Sequence, residues 1–233
     1  MAFEFEEESP PRSVEELGIL VIDGSGSMGL PEPPAQPKAL EVMGHLVDSP
    51  DSLFERLNKG TRRHEIYLAM ITYDHVVTRR LDPTPLTEID PDKLRVDLLR
   101  EHGGRTAIGK ALNEAGAIAR QFLAAQDPSG APRFVTILLM SDGQEVENSD
   151  PVGEALKIKS DAQPKKIGAL MSERPDIVIA AAAYGDDADP DTLRSVSTQL
   201  PNQPDRFFKR VTTGQQLRDF FIASMTAGPG AAA

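Results

Sequence analysis

The sequence predicts an α/β fold, with a largely parallel sheet covered by helices. Residues 19–22 and 177–184 are unbroken apolar runs and 134–140 is apolar but for Thr136, as expected for strands buried on both faces. The first two run into Asp23 and into Ser141-Asp142-Gly143, and the third ends in Gly185-Asp186-Asp187. Open α/β sheets place ligand sites at the carboxyl ends of strands, because the loops diverge there and leave a crevice.

Taken in order, residues 1–16 carry six glutamates and Pro10-Pro11 and read as an acidic extension. After the first strand, residues 30–37 hold four prolines and predict a rigid surface connection. Leu40, Met43 and Val47 fall on a helical period, and the helix resumes over 51–57 after Pro50. His45 within it reads as structural. Residues 65–73 and 76–81 form two strand candidates around Asp74-His75, a hairpin whose second arm is an antiparallel edge strand blunted by Arg79-Arg80.

The three prolines in 82–92 predict a segment crossing the top of the sheet. The clearest helix spans 106–125, with Ile108, Leu112, Ala115, Ile118 or Ala119, and Phe122 along one face and its N-terminus toward the crevice. Residues 144–150 read as a solvated acidic loop, with Glu145 and Glu147 as further acceptors. A short helix follows 152, broken at Gln163-Pro164-Lys165-Lys166. Asp189 caps a helix running to Leu200, residues 206–211 form a last strand and 215–225 a closing helix. The tail 227–233 is expected to be disordered, leaving one domain over 17–226.

Asp23, Ser25 and Ser27 offer oxygen groups at every second position, and Gly24 and Gly26 let the backbone curl them together. Oxygen ligands suit a hard cation such as Mg²⁺, which wants about six of them. Thr106, in the Gly103-Gly104-Arg105-Thr106 turn, and Asp142 supply further oxygens from other loops. Taken singly, Asp23 is also a turn former or cap and Asp142-Gly143 an ordinary turn. Together, two carboxylates at the ends of buried strands repel unless something positive lies between them, and a dication answers that demand. The stretch Gly104 to Lys110 imitates a P-loop but ends in Ala111 where Ser or Thr is required.

Asp23-x-Ser25-x-Ser27, Thr106 in Gly-Gly-x-Thr-x-x-Gly, and Asp142-Gly143 after a strand together resemble a von Willebrand factor A domain. The resemblance implies a Rossmann-like three-layer sandwich with a mostly parallel central sheet, one antiparallel edge strand and helices on both faces. It also implies that Asp23, Ser25, Ser27, Thr106 and Asp142 form a metal-ion-dependent adhesion site holding Mg²⁺ or Mn²⁺, ahead of Ca²⁺. An acidic side chain of a partner protein, Asp or Glu, would complete the shell, making the chain a metal-dependent protein-interaction module. Its character is similar to bacterial intracellular members linked with tellurite resistance and stress signalling. The alternative is a phosphoester hydrolase using the same cation, with His102 as base. The chain shows no nucleophile pair or partnered base, so the reading is non-enzymatic.

The 233 residues contain no cysteine, so neither disulfides nor thiolate metal sites are available, and a reducing compartment is favoured. The acidic first residues do not read as a secretory signal, and no apolar run reaches the roughly 18 residues of a membrane span. The expected location is cytoplasmic. A net charge of −11 argues against nucleic acid or anionic membrane as partner.

Overall fold

The computed structural model describes residues 14–29, 31–32, 36–48, 51–59, 64–125, 131–142, 145, 147–167, 172–186 and 188–226. Its centre is a six-stranded sheet built from β1 (Val14–Asp23), β2 (His64–Tyr73), β3 (Val77–Pro85), β4 (Arg133–Ser141), β5 (Ile177–Tyr184) and β6 (Phe208–Val211), in the order β6-β5-β4-β1-β2-β3. All neighbours are parallel except β2 and β3, which pair antiparallel and put β3 at an edge. This is the mostly parallel Rossmann-like sandwich expected from the three apolar runs and the hairpin.

The runs lack polar alternation because alternate residues enter two different cores. On one face Leu20, Ile22, Met70, Leu138 and Met140 pack with residues of α1 (Lys38–Met43), α2 (Leu53–Lys59), α3 (Leu98–Glu101) and α7 (Gly214–Thr226). On the other, Ile19, Val21, Ile71, Ile137 and Leu139 meet α4 (Ile108–Ala124), α5 (Pro151–Asp161) and α6 (Pro190–Val196). Helix α4 buries the face anticipated from its period, including Ile108, Leu112, Ala115, Ile118 and Phe122. Gly116 lets α5 close on it, since a Cβ there would lie 2.9 Å from Ile158 Cγ1. Asp189 caps α6, accepting from the backbone N–H groups of Asp191 and Thr192.

Several elements differ from the sequence reading for identifiable reasons. β1 begins at Val14, and Glu15 and Glu16 are buried within it because Arg133 Nε reaches Glu15 Oε2 at 2.5 Å and Thr136 Oγ1 donates to Glu16 Oε1 at 3.0 Å. β3 continues through Pro83 to Pro85, which an edge position tolerates because one side needs no ladder N–H. The α1 helix passes into a π-helical segment at Gly44–Asp48. After α5 the chain forms a small antiparallel pair, Pro164–Ile167 with Ser172–Pro175. The expectations for 1–13 and for the 227–233 tail lie outside the described residues.

Candidate functional site

β1 and its neighbours end together, so Asp23 lies opposite Tyr73 in register on one side and next to the end of β4 on the other. Asp23 is fully buried. Its Oδ1 accepts from Ser25 N at 2.8 Å, and its Oδ2 accepts from Ser141 Oγ at 2.6 Å and, at 3.5 Å, from Tyr73 Oη. Ser25 Oγ and Ser27 Oγ face each other at 3.1 Å. Burial, followed by the charge of nearby Asp142, pushes the Asp23 carboxyl up from 3.8 to about 7, against the lowering effect of Ser141 and Ser25. The same burial, then Asp23, drives the Tyr73 hydroxyl well above its ordinary value.

The first loop is tied to the third by Gly26 N, which donates to the Gly104 carbonyl at 3.1 Å. Gly104 N in turn donates to Asp74 Oδ2 at 2.9 Å, and Val76 N to Asp74 Oδ1 at 2.8 Å. Burial alone would raise Asp74, but these two N–H groups, with His102 and His75 beside it, outweigh that and hold it below its ordinary value. Thr106, buried, sits two residues on, immediately before the first turn of α4. Asp142, also buried, follows β4, and its carbonyl accepts from Asp189 N at 2.6 Å.

Asp23, Ser25 and Ser27 are thus in mutual contact, Asp142 lies close enough to raise Asp23, and Thr106 is joined to them through the Gly104 turn. The donor set does not fit the expected cation. Among the described residues, no group of three or more His, Cys, Asp or Glu is placed to hold a metal ion. The expectation of an intact metal-ion-dependent adhesion site with Mg²⁺, Mn²⁺ or Ca²⁺ is therefore corrected. With it go the metal-dependent docking of a partner's Asp or Glu and the hydrolase built on the same cation.

The physical reason lies in how the two carboxylates avoid repulsion. Sequence reasoning assigned that task to a dication, whereas here Asp23 keeps its proton up to about pH 7 and serves Ser25, Ser141 and Tyr73 as acceptor. His102 is likewise committed, with Nε2 2.8 Å from Thr72 Oγ1 and 3.4 Å from an Arg80 nitrogen. Ser141 and Tyr73, the partners of Asp23, were missed from sequence. Their signal was the parallel register itself, which sets the last residues of β2 and β4 beside the last residue of β1.

The fold and this crevice define an α/β sandwich with its polar site at the carboxyl edge of the sheet. The von Willebrand factor type A domain matches residues 19–222, and the chain belongs to that family. A comparison with curated proteins returned no match.

Among solved structures, proximal thread matrix protein 1 from the mussel byssus is similar, with a TM-score of 0.60 and 15% identity over 92% of this chain and 47% of that one. The same mussel protein with a zinc-occupied MIDAS motif gives 0.59 and 16% over 92% and 45%. A von Willebrand factor type A protein from Catenulispora acidiphila gives 0.58 and 17% over 91% and 42%. The chain spans less than half the length of each of these solved chains, and at such identities the likeness is one of fold. No helix among the described residues is long and apolar enough to cross a membrane.

Proposed function

We propose that the chain is a non-catalytic binding module whose crevice at the carboxyl edge of the sheet, floored by Asp23, Ser25, Thr106 and Asp142 and rimmed by Ser27, receives a partner protein. The observation that carries this reading is the convergence of three loops on that edge, cross-linked by the hydrogen bonds from Gly26 N to the Gly104 carbonyl and from Glu147 N to the Thr106 carbonyl. Family membership supports adhesion as the type of activity. The partner is met by hydrogen-bonding groups of the loops, with Gly26 exposed and Ser27 half-buried at the rim. The cysteine-free composition supports a reducing, cytoplasmic setting.

The test is capture by the immobilised chain from an extract of the source cells, in buffer containing chelator, comparing wild type with Ser27→Arg and with Leu156→Arg. Leu156 is exposed on α5, on the flank of the sandwich. A discrete protein held by wild type and Leu156→Arg but lost by Ser27→Arg is the expected result. Retention by Ser27→Arg together with loss by Leu156→Arg would move the interface to the α5 flank and refute the proposal.

A further inference from the structure

The floor of the crevice is nearly sealed. Relative exposure is 0% for Asp23 and Asp142, 2% for Ser25 and 3% for Thr106, so a partner cannot reach these groups as they stand. Glu145 and residues 147–150 lie across the start of α4. Ile108 N donates to Glu145 Oε2 at 2.8 Å and Gly109 N to Ser149 Oγ at 2.9 Å. Ala107, the N-cap position, makes no side-chain cap of its own, so these first amides of a 17-residue helix are satisfied from another loop.

The loop is also bonded to itself and to the turn carrying Thr106. Ser149 Oγ donates to Glu145 Oε2 at 2.9 Å, Glu147 N to Glu145 Oε1 at 2.9 Å, and Glu147 N also to the Thr106 carbonyl at 3.2 Å. One carboxylate therefore gathers both the loop and the helix. The loop approaches so closely that a Cβ at Gly109 would fall 1.8 Å from the Ser149 carbonyl oxygen. Asn148 and Asp150 on either side of Ser149 have φ of 59° and 48°, the left-handed region that these two residue types tolerate best.

We propose that Glu145 and residues 147–150 form a strap that holds the crevice shut, and that it lifts off the first turn of α4 before a partner reaches Thr106. The proposal rests on the reading of the crevice as the partner site and supplies its regulation. Glu145 is the fastening. Its charge-assisted hydrogen bond to the helix N-terminus is the strongest contact of the strap, and a group that neutralised or replaced it would open the site.

The chain contains no cysteine, so a single introduced thiol reports access without background. Thr106→Cys is reacted with a disulfide reagent such as dithionitrobenzoate in three backgrounds: otherwise wild type, Glu145→Gln, and Gly109→Ala. Glu145→Gln keeps the shape and removes the charge, while Gly109→Ala displaces the strap from the helix side without altering it. Ala115→Cys, buried on α4, reports global unfolding, and half-buried Ser27→Cys reports the reagent.

Slow reaction of Thr106→Cys, accelerated roughly tenfold or more by either second substitution while Ala115→Cys stays protected, is expected from loss of one charge-assisted bond or of close contact. Equal rates in all three backgrounds, or fast reaction without any second substitution, would overturn the strap. Should Gly109→Ala fail to fold, Glu145→Gln carries the test alone. None of these readouts involves the partner, so failure of capture in the Ser27→Arg experiment would refute the crevice reading independently.

Discussion

Replacing Asp23 by Asn removes a titrating group while keeping its shape. In the folded chain the Asp23 carboxyl loses its proton at about 7 instead of 3.8, because it is fully buried and faces Asp142. Between those values the folded state holds a proton that the unfolded chain has released. The stability contributed by this group is therefore greatest at or below about pH 4, falls as pH rises toward 7, and levels off above it, opposite in sign to the lowered Asp74 and Asp189. The full penalty for ionising Asp23 in place is about 4 kcal/mol, an upper figure at a fully buried site.

Asn matches the uncharged acid in size and charge, with its carbonyl oxygen accepting from Ser25 N; its amide NH₂ takes the place of Oδ2, so the Ser141 hydroxyl turns from donor to acceptor. Urea unfolding of wild type and Asp23→Asn at pH 4.5, 6 and 7.5 isolates the effect, because carboxyls common to both chains cancel in the difference. At pH 4.5 the two should agree within about 1 kcal/mol, the scale of one altered hydrogen bond. At pH 7.5 the variant should be the more stable by roughly 3 to 4 kcal/mol. Parallel pH profiles, or a variant weaker than wild type at pH 7.5, would refute the protonated-acid account.

With no His, Cys, Asp or Glu group placed to hold a metal ion among the described residues, calorimetric titration of wild type with Mg²⁺ or Mn²⁺ should give no saturable heat, and saturable binding abolished by Asp142→Ala would restore the cation site. At the end of β5, Tyr184 Oη donates to Glu41 Oε2 at 2.9 Å while Gly214 N at the start of α7 donates to Glu41 Oε1 at 2.8 Å. Tyr184→Phe should lower unfolding free energy by about 1 kcal/mol, measured in urea, with α7 still held through Gly214. An unchanged midpoint would show that the hydroxyl contributes nothing net.

Much of the fold was legible because burial on both faces writes itself as composition. Residues 134–140 and 177–184 have no polar alternation to hide, and β4 and β5 occupy nearly those bounds. The period of α4 was equally plain, since one buried stripe faces one sheet. The reading was weaker wherever a polar residue was buried by a partner far away in sequence. Glu15 and Glu16 look like the end of an acidic tail until Arg133 and Thr136, more than a hundred residues later, are set beside them by the β1–β4 pairing. Pro83 and Pro85 looked like a loop because proline is excluded from sheet interiors, a rule that does not bind an edge strand.

The site was legible as a place and not as a chemistry. Asp23, Ser25, Ser27, Thr106 and Asp142 were picked out because oxygen groups recur at the ends of strands, and spacing alone carries that information. What decides how two neighbouring carboxylates coexist is the environment each one meets, and spacing is silent on it. A dication, a proton and an internal donor are three solutions to the same repulsion, and choosing among them needs the depth of Asp23 and the direction of the Ser141 and Tyr73 hydroxyls. The same holds for Glu145. An acidic residue in a polar loop reads as solvated until the loop is folded back over the bare amides of Ile108 and Gly109, where its charge is used. A buried acid that keeps its proton below about pH 7 and a carboxylate spent on helix amides are alike in this: each is defined by what surrounds it, and neither is written in the spacing of the residues.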